Sequence, residues 1–363
     1  MSRVESIESF DQEAVLVPMA GQFESKSLLS IRQLEVADIE TYLREAEYAG
    51  RLLGSDEFRG AVMLPNHVLG AVMRQPSTRT GGSMRTAMAK LGGTSGVISG
   101  MASSSEAKGE TLADSWLAFA TQFDLIGTRT SEEYGPHYAD YVIRQALQAG
   151  KLDSAVPIIN LGDGRNEHPT QTLGDLRTIE KQILDMGDGR DFSDLTITVV
   201  GDHERYRAFN SLMIALGKLG MNIVAVESKA APVPQECVDR LGSKLETTDD
   251  LNGAIIDSDI VYIGRNPKEY NGKNKEEAKR SRVLAKSYAS WRIDQKRLNL
   301  MRPDGILMHP RPRRDEIDPA IDSDSRVVDV MQMRHMIPTR MAVISLACGR
   351  SIMPTVNRLF SER

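Results

Sequence analysis

Residues 195–226 constrain the fold of this 363-residue chain more than any other stretch. Leu195 to Val200 (LTITVV) is a β-branched run of strand length, and Gly201-Asp202 turns it. Tyr206 to Leu219 then places Phe209, Leu212, Met213, Leu216 and Leu219 on one helical stripe. Gly220 stops that helix, and Met221 to Val226 (MNIVAV) is a second strand. Strand, helix and strand in this order predict a βαβ unit in a parallel sheet. Two further strand candidates follow, Ile260 to Ile263 and Gly305 to Met308, with Arg265 just past the first and His309 just past the second. Ligands of open α/β sheets bind beyond the carboxyl ends of the strands. Asp202, Arg207, Arg265 and His309 are therefore expected to face one crevice.

The first half repeats the theme. Gly70 to Met73 reads as a short buried strand. Met84, Ala87, Met88 and Leu91 form one helix face, which ends at Gly92-Gly93. Between them lies Gln75-Pro76-Ser77-Thr78-Arg79-Thr80-Gly81-Gly82-Ser83, with three hydroxyls and one guanidinium in four consecutive positions. At a strand-to-helix turn, first-turn amides, hydroxyl donors and a forked arginine suit a phosphate-like dianion. The competing reading is a Ser/Thr cap with a solvated arginine. Two α/β domains joined in the middle would enclose a cleft, so the expected architecture is two doubly wound parallel-sheet domains with the active site between them. Asp185 to Asp194 is rich in Gly and Asp and reads as a linker or surface loop, and Lys273 to Arg282 as a solvated loop or helix face.

Residues 160–175 read NLGDGRNEHPTQTLGD. Gly162-Asp163-Gly164 is turn chemistry, and Pro169 suits the first turn of a helix running through Thr172 to Leu184. His168 then sits at a helix N-terminus, where the dipole favours a neutral imidazole that donates one hydrogen bond. Gln171, one turn on, offers an amide. A capping loop with a structural histidine is the plainer alternative. Lys108-Gly109-Glu110-Thr111 follows Ala102-Ser103-Ser104-Ser105 and reads as a polar loop before a helix. Arg129 follows the apolar run Phe123 to Ile126, at a strand end. His309-Pro310-Arg311-Pro312-Arg313 is a turn held by two prolines, able to present backbone carbonyls in a fixed direction.

Composition excludes several classes. The net charge of -5 and pI near 5.8 argue against a nucleic-acid footprint. Cys237 and Cys348 are too few for a cysteine-rich zinc site or a disulfide framework, and no metal or cofactor is expected. No stretch has the length of a membrane span. The acidic start, without the apolar core of a signal peptide, leads to a cytoplasmic, reducing compartment as the expectation. Residues 1–25 are polar without clear period and read as an N-terminal extension.

Four motifs, STRT at 77–80, KGET at 108–111, GDGxNxHPTQTLxD at 162–175 and HPxPRxDEI at 309–317, together resemble the aspartate/ornithine transcarbamoylase family over residues 28 to 350. The last motif is similar to the aspartate branch. The resemblance implies a carbamoyl-phosphate-binding domain over residues 26–180, completed by a C-terminal helix at about 335–363, and an amino-acid-binding domain over residues 181–334. It implies that Ser77, Thr78, Arg79 and Thr80 hold the phosphate of carbamoyl phosphate. Arg129 would touch phosphate and carbonyl oxygen, His168 the carbonyl oxygen and Gln171 the carbamoyl amine. Arg207 and Arg265, with Lys108, would grip the carboxylates of L-aspartate. Ser104 and Lys108 match a loop supplied by a neighbouring subunit, which implies a homotrimer or an assembly of trimers. Regulatory or dihydroorotase partner chains are left open by the residues.

Four positions depart from the family pattern, two of them, Pro267 and Arg311, on the amine side. Gln75 stands where the family commonly has an acid, Gly81 where it has a further arginine, Pro267 where it has glutamine and Arg311 where it has leucine. Arg311 would add an anion contact near the carbamoyl group. Pro267 and Arg311 motivate a second reading, a transferase for another amine, and a third is a catalytically silent partner subunit. A dinucleotide enzyme is disfavoured, because VVGDHERYR lacks the Gly-x-Gly-x-x-Gly turn.

Overall fold

The structure, a computed structural model, describes residues 7, 10–55, 62–99, 109–186, 189–265 and 275–360. Contacts divide the chain into two units, Met1–Gly174 with His335–Arg363, and Asp175–Arg334.

The first unit opens with α1 (Val36–Leu53) and then alternates strand and helix: β1 (Val68–Met73), α2 (Thr78–Lys90), β2 (Thr94–Ser99), α3 (Leu112–Ala120), β3 (Leu125–Thr130), α4 (Gly135–Gln148) and β4 (Ile158–Asp163), and the chain passes to the second unit within α5 (Pro169–Gln182). The sheet is parallel throughout, in the order β2-β1-β3-β4. Successive strands therefore run one way from β1 and the other way from β3. The switch point lies between β1 and β3, so the carboxyl ends of these two strands are where a ligand is expected. Val72, Ile126 and Ile158 of the sheet pack against Trp116, Tyr138 and Ile143 of α3 and α4. Each such large side chain contributes roughly 1.5–3 kcal/mol on burial. Residues 10–25, expected as an extension, are built into this unit. Phe10 and Val15 join the same core, and Phe10 packs edge-on against Tyr138.

The second unit holds β5 (Thr196–Val200), α6 (Arg207–Lys218), β6 (Asn222–Val226), α7 (Gln235–Leu241), β7 (Leu245–Thr248), α8 (Leu251–Ile256), β8 (Ile260–Ile263), α9 (Lys275–Ser290), α10 (Gln295–Leu298) and β9 (Ile306–Met308). Its sheet is also all parallel, in the order β7-β6-β5-β8-β9, and its switch point lies between β5 and β8. Val200, Val261, Ile263 and Leu307 form its core with Leu251 and Ile255 of α8 and Leu284 and Tyr288 of α9. The chain returns to the first unit within α11 (Asp329–Ala347) and ends in α12 (Met353–Phe360). In α12, Glu45 of α1 caps the start, accepting from Ile352 N and Ser351 Oγ, each at 2.6 Å.

The predicted βαβ unit is present, and several local expectations are shifted. Gly162 and Asp163 are the end of β4 rather than a turn; Asp163 is paired in register with Thr130, and the turn starts at Gly164. Gly164 has φ +51°, and a Cβ there would meet Glu133 Cγ at 2.6 Å, so glycine is required. Gly305 precedes β9, because its N–H closes a turn onto Arg302 O. From Lys275 the run expected as a solvated loop or helix face is the largely exposed start of α9, and its Arg280 turns inward, reaching Glu204 at 2.5 Å and Asp202 at 3.4 Å. In the expected linker, Asp191 caps a 3-10 turn over Phe192–Asp194, and Arg190 pairs with Asp259 at 2.8 Å.

Candidate active site

The hydroxyl–arginine run forms the start of α2. Ser77 is the N-cap in an extended conformation, and its Oγ accepts from Thr80 N at 3.3 Å. Having accepted one bond, that hydroxyl keeps its own hydrogen to donate. Thr78 and Arg79 are exposed in the first turn, and Thr80 is buried. Gly81 is buried against Met73, whose Sδ would lie 3.3 Å from an added Cβ, so the departure at this position matches a tightly filled space. Arg340 of α11, a buried arginine that the sequence reading missed, donates to Ser83 Oγ on the same helix.

Arg129 is half-buried near the carboxyl end of β3, in register with Met73 of β1. Two residues past Met73, Gln75 N donates to Arg129 O at 2.9 Å, and Arg129 Nε donates to Gln75 Oε1 at 3.1 Å. The switch point of the first sheet thus carries a capped helix start and an arginine held beside it.

His168 ends the turn that leads into α5. Its carbonyl accepts from Gln171 N at 3.0 Å and Thr172 N at 3.3 Å, so it occupies the capping position. Its ring is buried, with Nδ1 3.5 Å from Thr170 Oγ1. Gln171 is half-buried on the first turn. The turn is organised by Asp163, whose role the sequence did not reveal. Asp163 Oδ1 accepts from Asn160 Nδ2 at 2.9 Å and Glu167 N at 3.1 Å, and Oδ2 from Asn166 Nδ2 at 2.9 Å and Tyr134 N at 2.8 Å. Burial pushes this carboxyl up to about 7, against the pull of the four donors. The nearby His137 supplies no compensating charge, since burial and then Arg32 hold its imidazole down to about 3. Its Nδ1 lies 4.0 Å from Asp163 Oδ2. Glu167 anchors the same turn from behind, accepting from Ile31 N at 3.0 Å and from Ser30 Oγ.

In the second unit the switch point again supplies arginines. Gly201 follows β5 with φ +150°, and a Cβ there would meet Phe209 and Tyr288 Oη at 2.9 Å. Glycine therefore lets the chain turn into α6, whose first residue is Arg207, largely buried. Arg265 follows β8, and its carbonyl accepts from Tyr288 Oη at 3.0 Å. Both guanidinium groups act on Tyr206, a residue sequence reasoning missed. Burial pushes its phenol up to about 12, while Arg265 and then Arg207 pull it down.

Asp202 and His309 do not face a crevice, as was expected of them. Asp202 is 1% exposed and accepts from Arg205 N at 3.1 Å, which fixes the turn after β5. His309 is fully buried; its N–H donates to Gln332 Oε1 at 2.9 Å, and its Nδ1 accepts from Arg311 N at 2.9 Å. Gln332 Nε2 continues to Asp175 Oδ1 at 2.7 Å, and Tyr262 Oη donates to Asp175 Oδ2 at 2.7 Å. Arg311 has φ +40° and sends a guanidinium nitrogen to Asp329 at 2.8 Å, where Arg313 also approaches to 3.6 Å. The charge expected to add an anion contact is thus compensated within the unit. Ser104, Lys108 and Pro267 lie outside the described residues. Among the described residues no helix is long and apolar enough to cross a membrane.

Residues 26–181 match the family model of the aspartate/ornithine carbamoyltransferase carbamoyl-P binding domain, and residues 193–347 match that of the Asp/Orn binding domain. The aspartate carbamoyltransferase catalytic subunit of Archaeoglobus fulgidus is 34% identical over 321 residues, covering 88% of this chain and 98% of that protein. That of Picrophilus torridus is 32% identical over 328 residues, covering 90% and 99%. Among solved structures, aspartate transcarbamoylase from Trypanosoma cruzi in complex with carbamoyl phosphate and aspartate superposes with a TM-score of 0.78 at 28% identity, covering 92% of this chain and 99% of that one.

Proposed function

The chain belongs to the aspartate/ornithine carbamoyltransferase family, and we propose that it transfers the carbamoyl group of carbamoyl phosphate to the amine of L-aspartate, giving N-carbamoyl-L-aspartate and phosphate. The observation that carries this reading is the switch point of the first sheet, where the capped start of α2 and the held Arg129 supply donors for a dianion.

Ser77, Thr78, Arg79 and Thr80 bind the phosphate of carbamoyl phosphate in this reading. Arg129 reaches phosphate and carbonyl oxygen, His168 the carbonyl oxygen and Gln171 the carbamoyl amine. Arg207 and Arg265 bind the carboxylates of aspartate. The amine nitrogen attacks the carbamoyl carbon, a C–N bond forms, and the carbonyl oxygen becomes an oxyanion. Arg129, His168 and Thr80 stabilise that charge. The C–O bond to phosphate then breaks, and a phosphate oxygen takes the amine proton, so no protein nucleophile or base is needed. Aligning two bound substrates removes a large entropic part of the barrier. Arg311 is paired with Asp329 and serves the turn, which favours aspartate over the reading built on another amine.

In this reading the enzyme works in pyrimidine biosynthesis in the cytoplasm as a trimer, with Ser104 and Lys108 completing a neighbour's site. Phosphate release from carbamoyl phosphate, measured with and without L-aspartate and beside a panel of amines including ornithine, tests the proposal. Release that depends on aspartate supports it. Release only with another amine, or none with any, refutes it.

A further inference from the structure

We propose that Gln75 is a positioning residue that aims Arg129 at the anion through an uncharged acceptor, an inference that rests on the carbamoyl-phosphate reading of that site. Two bonds join these residues, and they come from different parts of the chain. Gln75 N donates to Arg129 O at 2.9 Å, which fixes the backbone of the arginine at the end of β3. Arg129 Nε donates to Gln75 Oε1 at 3.1 Å, which fixes the plane of its guanidinium. A planar fork gains most from a dianion when its orientation is set before the ligand arrives. Gln75 is also two residues before the Ser77 cap, so one residue ties the arginine to the helix start that shares its ligand.

The chemistry of the acceptor matters as much as its place. An amide oxygen accepts the Nε hydrogen without carrying a formal charge. A carboxylate at the same position would make a stronger bond but set a negative charge about as close to the arginine as the incoming dianion, and oppose it. Glutamine thus supplies the orienting acceptor without adding a negative charge of its own beside the guanidinium.

Two variants separate these effects. Gln75→Glu keeps the acceptor and adds the charge. Gln75→Leu removes the acceptor at similar volume. Binding of inorganic phosphate to the purified full chain is measured by calorimetry at two salt concentrations, beside carbamoyl phosphate and aspartate kinetics and thermal melts. Gln75→Glu is expected to weaken phosphate binding about tenfold, with a deficit that shrinks as salt screens the added charge. Gln75→Leu is expected to weaken it with a deficit that salt does not change, and to lower kcat. In both, KM rises for carbamoyl phosphate and stays within about twofold for aspartate. A merely structural glutamine would move the melts and both KM values without that split. If wild type binds phosphate and turns over while both variants match it within twofold, Gln75 has no such role and the carbamoyl-transfer reading stands. If wild type neither binds phosphate nor turns over, both are overturned.

Discussion

Asp163→Asn is the substitution whose outcome the structure specifies most closely. The side chain is fully buried, and each carboxylate oxygen accepts two hydrogen bonds, from Asn160 and Glu167 on one side and from Asn166 and Tyr134 on the other. Asparagine has the same shape but only one acceptor oxygen. Two of the four donors lose their partner and face an NH2 group, at roughly 1–3 kcal/mol each. The opposing effect is the charge itself. Burial raises this carboxyl from 3.8 to about 7, and neutral His137 offers no cation to offset it. An acid with a raised folded-state pKa contributes stability that is fully present below its unfolded value and is lost as pH rises through the folded value. The window therefore runs from about pH 4 to pH 7. At about 1.4 kcal/mol per pH unit, wild type loses about 3 kcal/mol between pH 5 and pH 8 through this group, and the asparagine variant loses none of it.

The variant is thus expected to be less stable than wild type by several kcal/mol at pH 5 and by much less at pH 8. Urea unfolding of both proteins at the two pH values measures this, and subtracting the variant cancels all other titrating groups. A stability difference that is the same at both values within about 1 kcal/mol would refute the reasoning. It would mean that the four donors hold Asp163 as an ordinary carboxylate and that burial does not dominate.

Further outcomes follow from the proposed reaction and from the second unit. His168→Ala is expected to lower turnover by roughly 10²-fold or more, as for loss of an oxyanion donor, and unchanged turnover removes His168 from the mechanism. Arg207→Ala and Arg265→Ala are each expected to raise KM for aspartate at least tenfold while phosphate binding stays within about twofold, as for loss of a charged substrate contact; equal loss of both would place these arginines elsewhere. Arg79→Ala and Lys108→Ala chains, each inactive alone, are expected to regain activity when mixed and reassembled, and mixtures that stay inactive refute the shared site. Tyr262→Phe removes a donor from the buried Asp175 carboxylate and is expected to cost about 1.5–3 kcal/mol in urea unfolding.

What could be read in advance was local. The β-branched run before Gly201 and the stripe from Phe209 to Leu219 specify a strand and a helix because each needs only its own period. The Ser77 cap was legible for the same reason, since a serine before a helical face satisfies amides within three residues of itself. Partnerships across the chain were not. Gln75 and Arg129 are separated by 54 residues, and nothing near either one announces the other. They meet because β1 and β3 are adjacent and Met73 is in register with Arg129, which places the residue two past Met73 against the arginine. The order β2-β1-β3-β4 has to be known before that register can be written. Asp202 and His309 failed as crevice-facing candidates for a related reason. A polar residue at a strand end can face the ligand or hold the turn that presents the ligand's neighbours, and both uses leave the same local pattern. Asp202 accepts from Arg205 N, two residues before Arg207, and His309 accepts from Arg311 N. Each holds its turn through the backbone, and only the folded chain separates that use from a contact with ligand.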